Sequence, residues 1–123
     1  MRTSIRIALD LVLVVVFAII GRASHGEALT LGGVLLTGWP FFVGCLLGSV
    51  LAGVLLRLPW LYEGLLVWLT TVVLGMFLRG ITGGGMAAGF LIVATLVLAF
   101  LLIGWRMLAA LARRRAAPAR ENT

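Results

Sequence analysis

The sequence predicts an all-α membrane protein with four transmembrane helices in an up-down bundle and both termini in the cytoplasm. Three observations carry this expectation. First, the 123-residue chain is 63% hydrophobic and 11% charged, whereas a soluble domain averages about 45–50% apolar and about 25% charged. So few charges could not cover a soluble surface, and lipid is the expected solvent. Second, the charges cut the chain into apolar segments long enough to span a membrane, given roughly 20 residues per crossing. Third, the basic residues are ten arginines with no lysine. Four crossings place Arg2, Arg6, Arg57, Arg106, Arg113, Arg114, Arg115 and Arg120 on one side and leave Arg22 and Arg79 on the other. That excess marks the cytoplasmic side and points to the inner (plasma) membrane.

Helix 1 is expected over about residues 4–22. Met1–Arg6, the apolar run Ile7–Ile20 and Gly21-Arg22-Ala23 resemble a signal peptide. Asp10 interrupts the apolar core, however, and cleavage would set Arg57 and the Arg113–Arg115 cluster on opposite faces. An uncleaved first helix is therefore expected. Helix 2 should occupy about residues 38–56 of the charge-free run Ala28–Leu56, after a break at Gly32-Gly33. Helix 3 is expected over about residues 59–78. Pro59 suits its first turn, where the missing N–H costs nothing, and Glu63 complements the positive end of the helix dipole. Gly83-Gly84-Gly85 marks the next turn. Helix 4 should run over about residues 85–106, followed by a basic cytoplasmic tail, 107–123, that frays near Pro118.

This organisation makes residues 1–106 a single domain. Trp60, Tyr62 and Trp105 fall at the inner interface and Trp39 at the outer one, as an aromatic belt requires. A weak parallel repeat pairs Asp10, Arg22, Gly26 and Arg57 with Glu63, Arg79, Gly83 and Arg106. The net charge of +6 does not indicate nucleic acid, because most of the ten arginines sit beside expected helix ends or in the C-terminal tail, where membrane orientation needs them. Cys45 is the only cysteine, so no intramolecular disulfide can form.

Four sets of residues could carry function. Gly44, Gly48 and Ala52 recur every four positions, with Thr71 and Gly75 continuing the pattern in helix 3. Small residues at this spacing let helices approach closely, either within the chain or at a homodimer seam. Asp10 lies inside a span and is a functional candidate by default. It could load and release a proton in a coupled transporter, or pair with Arg6, Arg57 or Arg106 as a structural ion pair. The outer rim gathers Arg22, Ser24, His25, Glu27, Thr37, Trp39, Arg79 and Thr82. It could hold an anion, a lipid headgroup or a partner's acidic loop; alternatively, Arg22 and Arg79 only end helices and reach to headgroups. Trp68, Thr71, Gly75 and Arg79 share one face of helix 3, which reads as a translocation path or as a packing stripe. No catalytic motif, cofactor motif or metal-ligand cluster is found, and an enzyme is not expected.

The chain resembles an uncharacterised family of small four-helix prokaryotic membrane proteins, the domain of unknown function 3054 family. The resemblance rests on the early Asp10, Gly21-Arg22 with His25, Pro40-Phe41, Gly75-Met76 with Arg79, and Gly104-Trp105-Arg106, across about Ala8 to Arg106. It implies a multi-pass membrane protein and no activity. Small multidrug resistance transporters also pair a helix 1 carboxylate with a helix 3 tryptophan, a pairing for which Asp10 and Trp68 would be the counterparts, but their surrounding motifs are missing. The Phe-rich filter of fluoride channels is missing too. The leading expectation is a non-enzymatic membrane protein that self-associates and binds something small or anionic at its outer rim, with transport as the concrete version. The competing expectation is an accessory subunit of a larger membrane complex, with no substrate of its own.

Overall fold

In the computed structural model, which describes residues 2–24 and 26–121, all regular structure is helical. Helix α1 spans Thr3–Ser24, α2 Leu31–Ser49, α3 Trp60–Ile81 and α4 Ala88–Glu121. A π-helical stretch, Val50–Leu55, extends α2. Four segments are long and apolar enough to cross a membrane: Thr3–Ser24, Leu31–Leu55, Trp60–Ile81 and Ala88–Ala116.

The helices form a ring in chain order. Each packs on its sequence neighbours, and α4 closes back on α1. The interface between α2 and α3 is the most extensive and the closing one between α1 and α4 the thinnest. The ends of the ring differ. The start of α1, the end of α2, the start of α3 and the stretch of α4 around Trp105–Arg113 meet at what we call the termini end. The α1–α2 and α3–α4 connections lie at the far end.

Glycine explains the close α2–α3 contact. A Cβ on Gly48 would stand 2.9 Å from the Thr70 Cβ, and one on Gly44 3.1 Å from the Thr70 carbonyl oxygen. A Cβ on Gly75 would collide with the Phe41 ring. Gly44, Gly48 and Gly75 thus serve packing inside the chain, with Ala52 and Thr71 fully buried beside them. Toward the far end, Phe17, Phe41 and Phe90 form an aromatic cluster. Its centroids are 5.0 Å apart for Phe17–Phe41, 6.1 Å for Phe17–Phe90 and 5.8 Å for Phe41–Phe90. Val14, Cys45, Val67, Leu98 and Leu102 fill the middle of the bundle.

Several helix boundaries differ from the sequence expectation. Helix α2 starts at Leu31 rather than near residue 38, and Gly32-Gly33 lie inside its first turn. Thr30 is the reason: in extended backbone, its hydroxyl accepts from the Gly33 N–H at 3.0 Å. Such a cap is worth about 1 kcal/mol and offsets the poor helix propensity of the glycines. Helix α3 continues to Ile81, where Gly83 at φ +84° ends it. Helix α4 begins at Ala88, not near residue 85. It runs on past Arg106, as the expected continuation of helix 4 does, and it passes through Pro118, where fraying is expected, to Glu121. The alanines and arginines around Pro118 are strong helix formers.

Candidate functional site

The termini end holds a buried charge network. Asp10 sits seven residues into α1, about 10 Å along the helix at 1.5 Å per residue, and it is 0% exposed. Arg106 reaches it from α4 as a two-pronged pair, Nη1 donating to Oδ1 at 2.9 Å and Nη2 to Oδ2 at 2.7 Å. The Trp105 indole N–H donates to the same Oδ1 at 2.8 Å. Arg106 also bonds Glu63 Oε1 of α3, from Nε at 3.2 Å and from Nη2 at 2.9 Å, and its Nη1 reaches the Leu102 carbonyl at 2.7 Å. All five guanidinium N–H groups thereby find an acceptor. Arg6 of α1 completes the set, donating to both Glu63 oxygens at 3.1 Å each and to the Thr3 hydroxyl at 3.3 Å.

Two arginines and two carboxylates cancel in charge. Isolated burial of any one of them would cost several kcal/mol, and the cost is offset only when partners satisfy every donor and acceptor. That condition holds: among the described residues no buried side-chain nitrogen or oxygen lacks a partner. Two glycines make room. A Cβ on Gly64 would lie 2.8 Å from Arg106 Cδ, and one on Gly53 3.3 Å from Glu63 Oε2. Gly53 belongs to the π-helical stretch, which ends at Leu55 and is followed by Arg57 at φ 51°. π-Helical turns recur at functional sites. The network ties α4 to α1 across the thinnest interface, and the Arg6–Glu63 pair reaches diagonally from α1 to α3.

Above the network a cleft of about 210 Å³ opens, lined by Arg6, Leu58, Trp60, Glu63, Trp105, Arg106, Ala109 and Arg113. The Arg106 guanidinium lies 4.7 Å from the Trp105 ring centroid and forms the floor with it. Trp60 is 40% exposed, and Arg113 is exposed at the mouth.

The far end is built differently. Arg22 bonds Glu27 at 3.1 Å, the Ala28 carbonyl at 2.7 Å and the Thr37 hydroxyl at 3.1 Å. Its guanidinium covers Gly33, where a Cβ would stand 2.6 Å from Cζ. Arg79 bonds the Gly85 carbonyl at 3.1 Å and lies 3.9 Å over the Phe90 ring. Each arginine thus braces one interhelical connection. Trp39 lines an apolar groove between α1 and α2 with Val14, Ala18 and Leu35, apart from both arginines. His25 lies outside the described residues. The helix 3 stripe is filled by packing: Trp68 donates to the Thr95 carbonyl of α4 at 3.0 Å, Thr71 to its own helix at 2.6 Å, and Gly75 receives Phe41.

Of the residues singled out from sequence, Asp10 and Arg106 come together; at the far end Glu27 pairs with Arg22 and acts electrostatically on Arg79, while Trp39 lines a separate groove. Sequence reasoning missed Glu63 and Trp105 as members of the network, because each already had a local explanation. The available signal was scarcity: the chain has four acids, and two of them fall in apolar helices at the end where the arginines concentrate.

Fold and site together define a small four-helix bundle of membrane-spanning proportions, with a charge-balanced polar network buried at one end. The chain belongs to the family described as protein of unknown function (DUF3054), whose model matches residues 7–109. No curated protein and no solved structure matches the chain.

Proposed function

We propose that the chain is a multi-pass protein of the cell membrane with both termini in the cytoplasm, and that it is a non-enzymatic binding protein acting from the termini end. The observation that carries this reading is the cleft over the Asp10–Arg106–Glu63–Arg6 network, where fixed cations and two indoles face an opening of about 210 Å³. Ionisable residues held within apolar helices are functional candidates by default. The outer-rim arginines are the weaker candidate, because their bonds go to Glu27, Ala28, Thr37 and Gly85 of their own chain. Transport is the concrete extension of this reading: opening the thin α1–α4 seam would break the Asp10–Arg106 pair.

Native mass spectrometry of the full chain, extracted in mild detergent, tests the binding reading. A retained small-molecule adduct that Arg113→Ala loses is the expected result. An adduct indifferent to Arg113→Ala, or none, contradicts it, and a stoichiometric second polypeptide favours the accessory-subunit reading. Orientation is tested by cysteine labelling, with Arg114→Cys expected to react from the cytoplasm and His25→Cys from outside. Labelling of both from one side contradicts four crossings.

A further inference from the structure

We propose that the cleft at the termini end is a site for a phosphate-bearing anion with an apolar part, the headgroup region of an anionic phospholipid. This assignment rests on the reading of that cleft as the binding site. The charge balance points to an anion. Asp10, Glu63, Arg6 and Arg106 cancel one another, and Arg106 has no N–H left to give, since its donors go to Asp10, Glu63 and the Leu102 carbonyl. Arg113 lines the same cleft, is exposed, and adds one positive charge that no carboxylate among the described residues pairs. Arginine suits phosphate because its planar fork can bond two oxygens at once.

The walls point to a lipid. Trp60, Trp105, Leu58 and Ala109 supply aromatic and aliphatic surface beside the cations, which a bare inorganic ion would not use. Tryptophans concentrate where headgroups meet hydrocarbon, and basic pockets between membrane helices bind acidic headgroups. Size is compatible: an open cleft of about 210 Å³ has room for a phosphate group and its immediate substituent. The cleft's mouth also carries the first residue of the Arg113–Arg115 run that follows the apolar part of α4, and such basic runs pair with acidic headgroups.

The test uses delipidated full chain in detergent micelles, titrated with short-chain phosphatidylglycerol, short-chain phosphatidylcholine or inorganic phosphate and read by native mass spectrometry and thermal shift. Phosphatidylglycerol is expected to form a one-to-one adduct and raise the melting temperature, with phosphatidylcholine much weaker. Arg113→Ala should weaken phosphatidylglycerol about fivefold or more, Arg113→Lys should recover part of that, and Arg115→Ala, outside the cleft, should change it less than about twofold. Inorganic phosphate binding with the same Arg113 dependence, and no lipid adduct, supports the phosphate site with a soluble source. Equal losses in Arg113→Ala and Arg115→Ala overturn the proposal in favour of diffuse surface attraction, as does equal binding of the two lipids. If neither lipid nor phosphate binds while the purified chain still carries an Arg113-dependent adduct, the phosphate assignment fails and the binding site stands.

Discussion

The two ends of the bundle use arginine in opposite ways. At the termini end, Arg106 is 2% exposed and holds two carboxylates from two other helices. At the far end, Arg22 and Arg79 stay near the surface and hold connections close to them in sequence, six residues away in each backbone contact. A buried charge needs complete satisfaction and therefore couples helices that are distant in sequence. A rim charge can bond the nearby connection and the start of the next helix, as Arg22 does with Ala28 and Thr37 and Arg79 with Gly85 and Phe90, and so couples only helices adjacent in sequence. Helix order explains where each kind falls: the ring must be closed between α1 and α4, and the closing contact is thin.

Substitutions can break this contrast, and the largest effect belongs to Arg106. Replacing it by leucine strands Asp10 with the Trp105 indole as its remaining donor and Glu63 with Arg6. Removing one partner of a buried pair costs about 3–5 kcal/mol, to be read by reversible unfolding in mild detergent. Asp10→Asn should cost less, about 1–3 kcal/mol, because the amide keeps an oxygen for Trp105 and Arg106 keeps Glu63. The far end should respond weakly. Arg79→Ala loses the cation–π contact with Phe90 and one hydrogen bond, together about 1–2 kcal/mol. Arg22→Ala should cost about 1 kcal/mol or less and depend on salt, because its partner Glu27 is half exposed. A loss at Arg22 equal to that at Arg106 would remove the distinction between the ends.

Much of the fold was legible in the sequence because lipid-sized apolar runs separated by charges leave few alternatives. Boundaries were less legible where a single side chain overrode propensity, as Thr30 does for Gly32 and Gly33. The site was half legible. Asp10 announced itself as an acid in an apolar helix, and Arg106 was among its foreseeable partners. Glu63 was not recognised, because a carboxylate in the first turn of α3 already has a use at the helix dipole. Its partnership with Arg6 and Arg106 depends on ring closure, which no local spacing encodes. Arg22 was singled out by its position against the charge bias, and Glu27 and Thr37, both noted beside it in sequence, are its partners in the fold.

A pair of double-mutant cycles measured by reversible unfolding in the same detergent compares the ends directly. One combines Asp10→Asn with Arg106→Leu, the other Glu27→Gln with Arg22→Ala. Buried, hydrogen-bonded partners should show a coupling of about 2 kcal/mol or more, and the exposed pair about 0.5 kcal/mol or less. Couplings of equal size, or a larger one between Arg22 and Glu27, would contradict the assignment of the termini end as the place where buried charge holds the bundle closed.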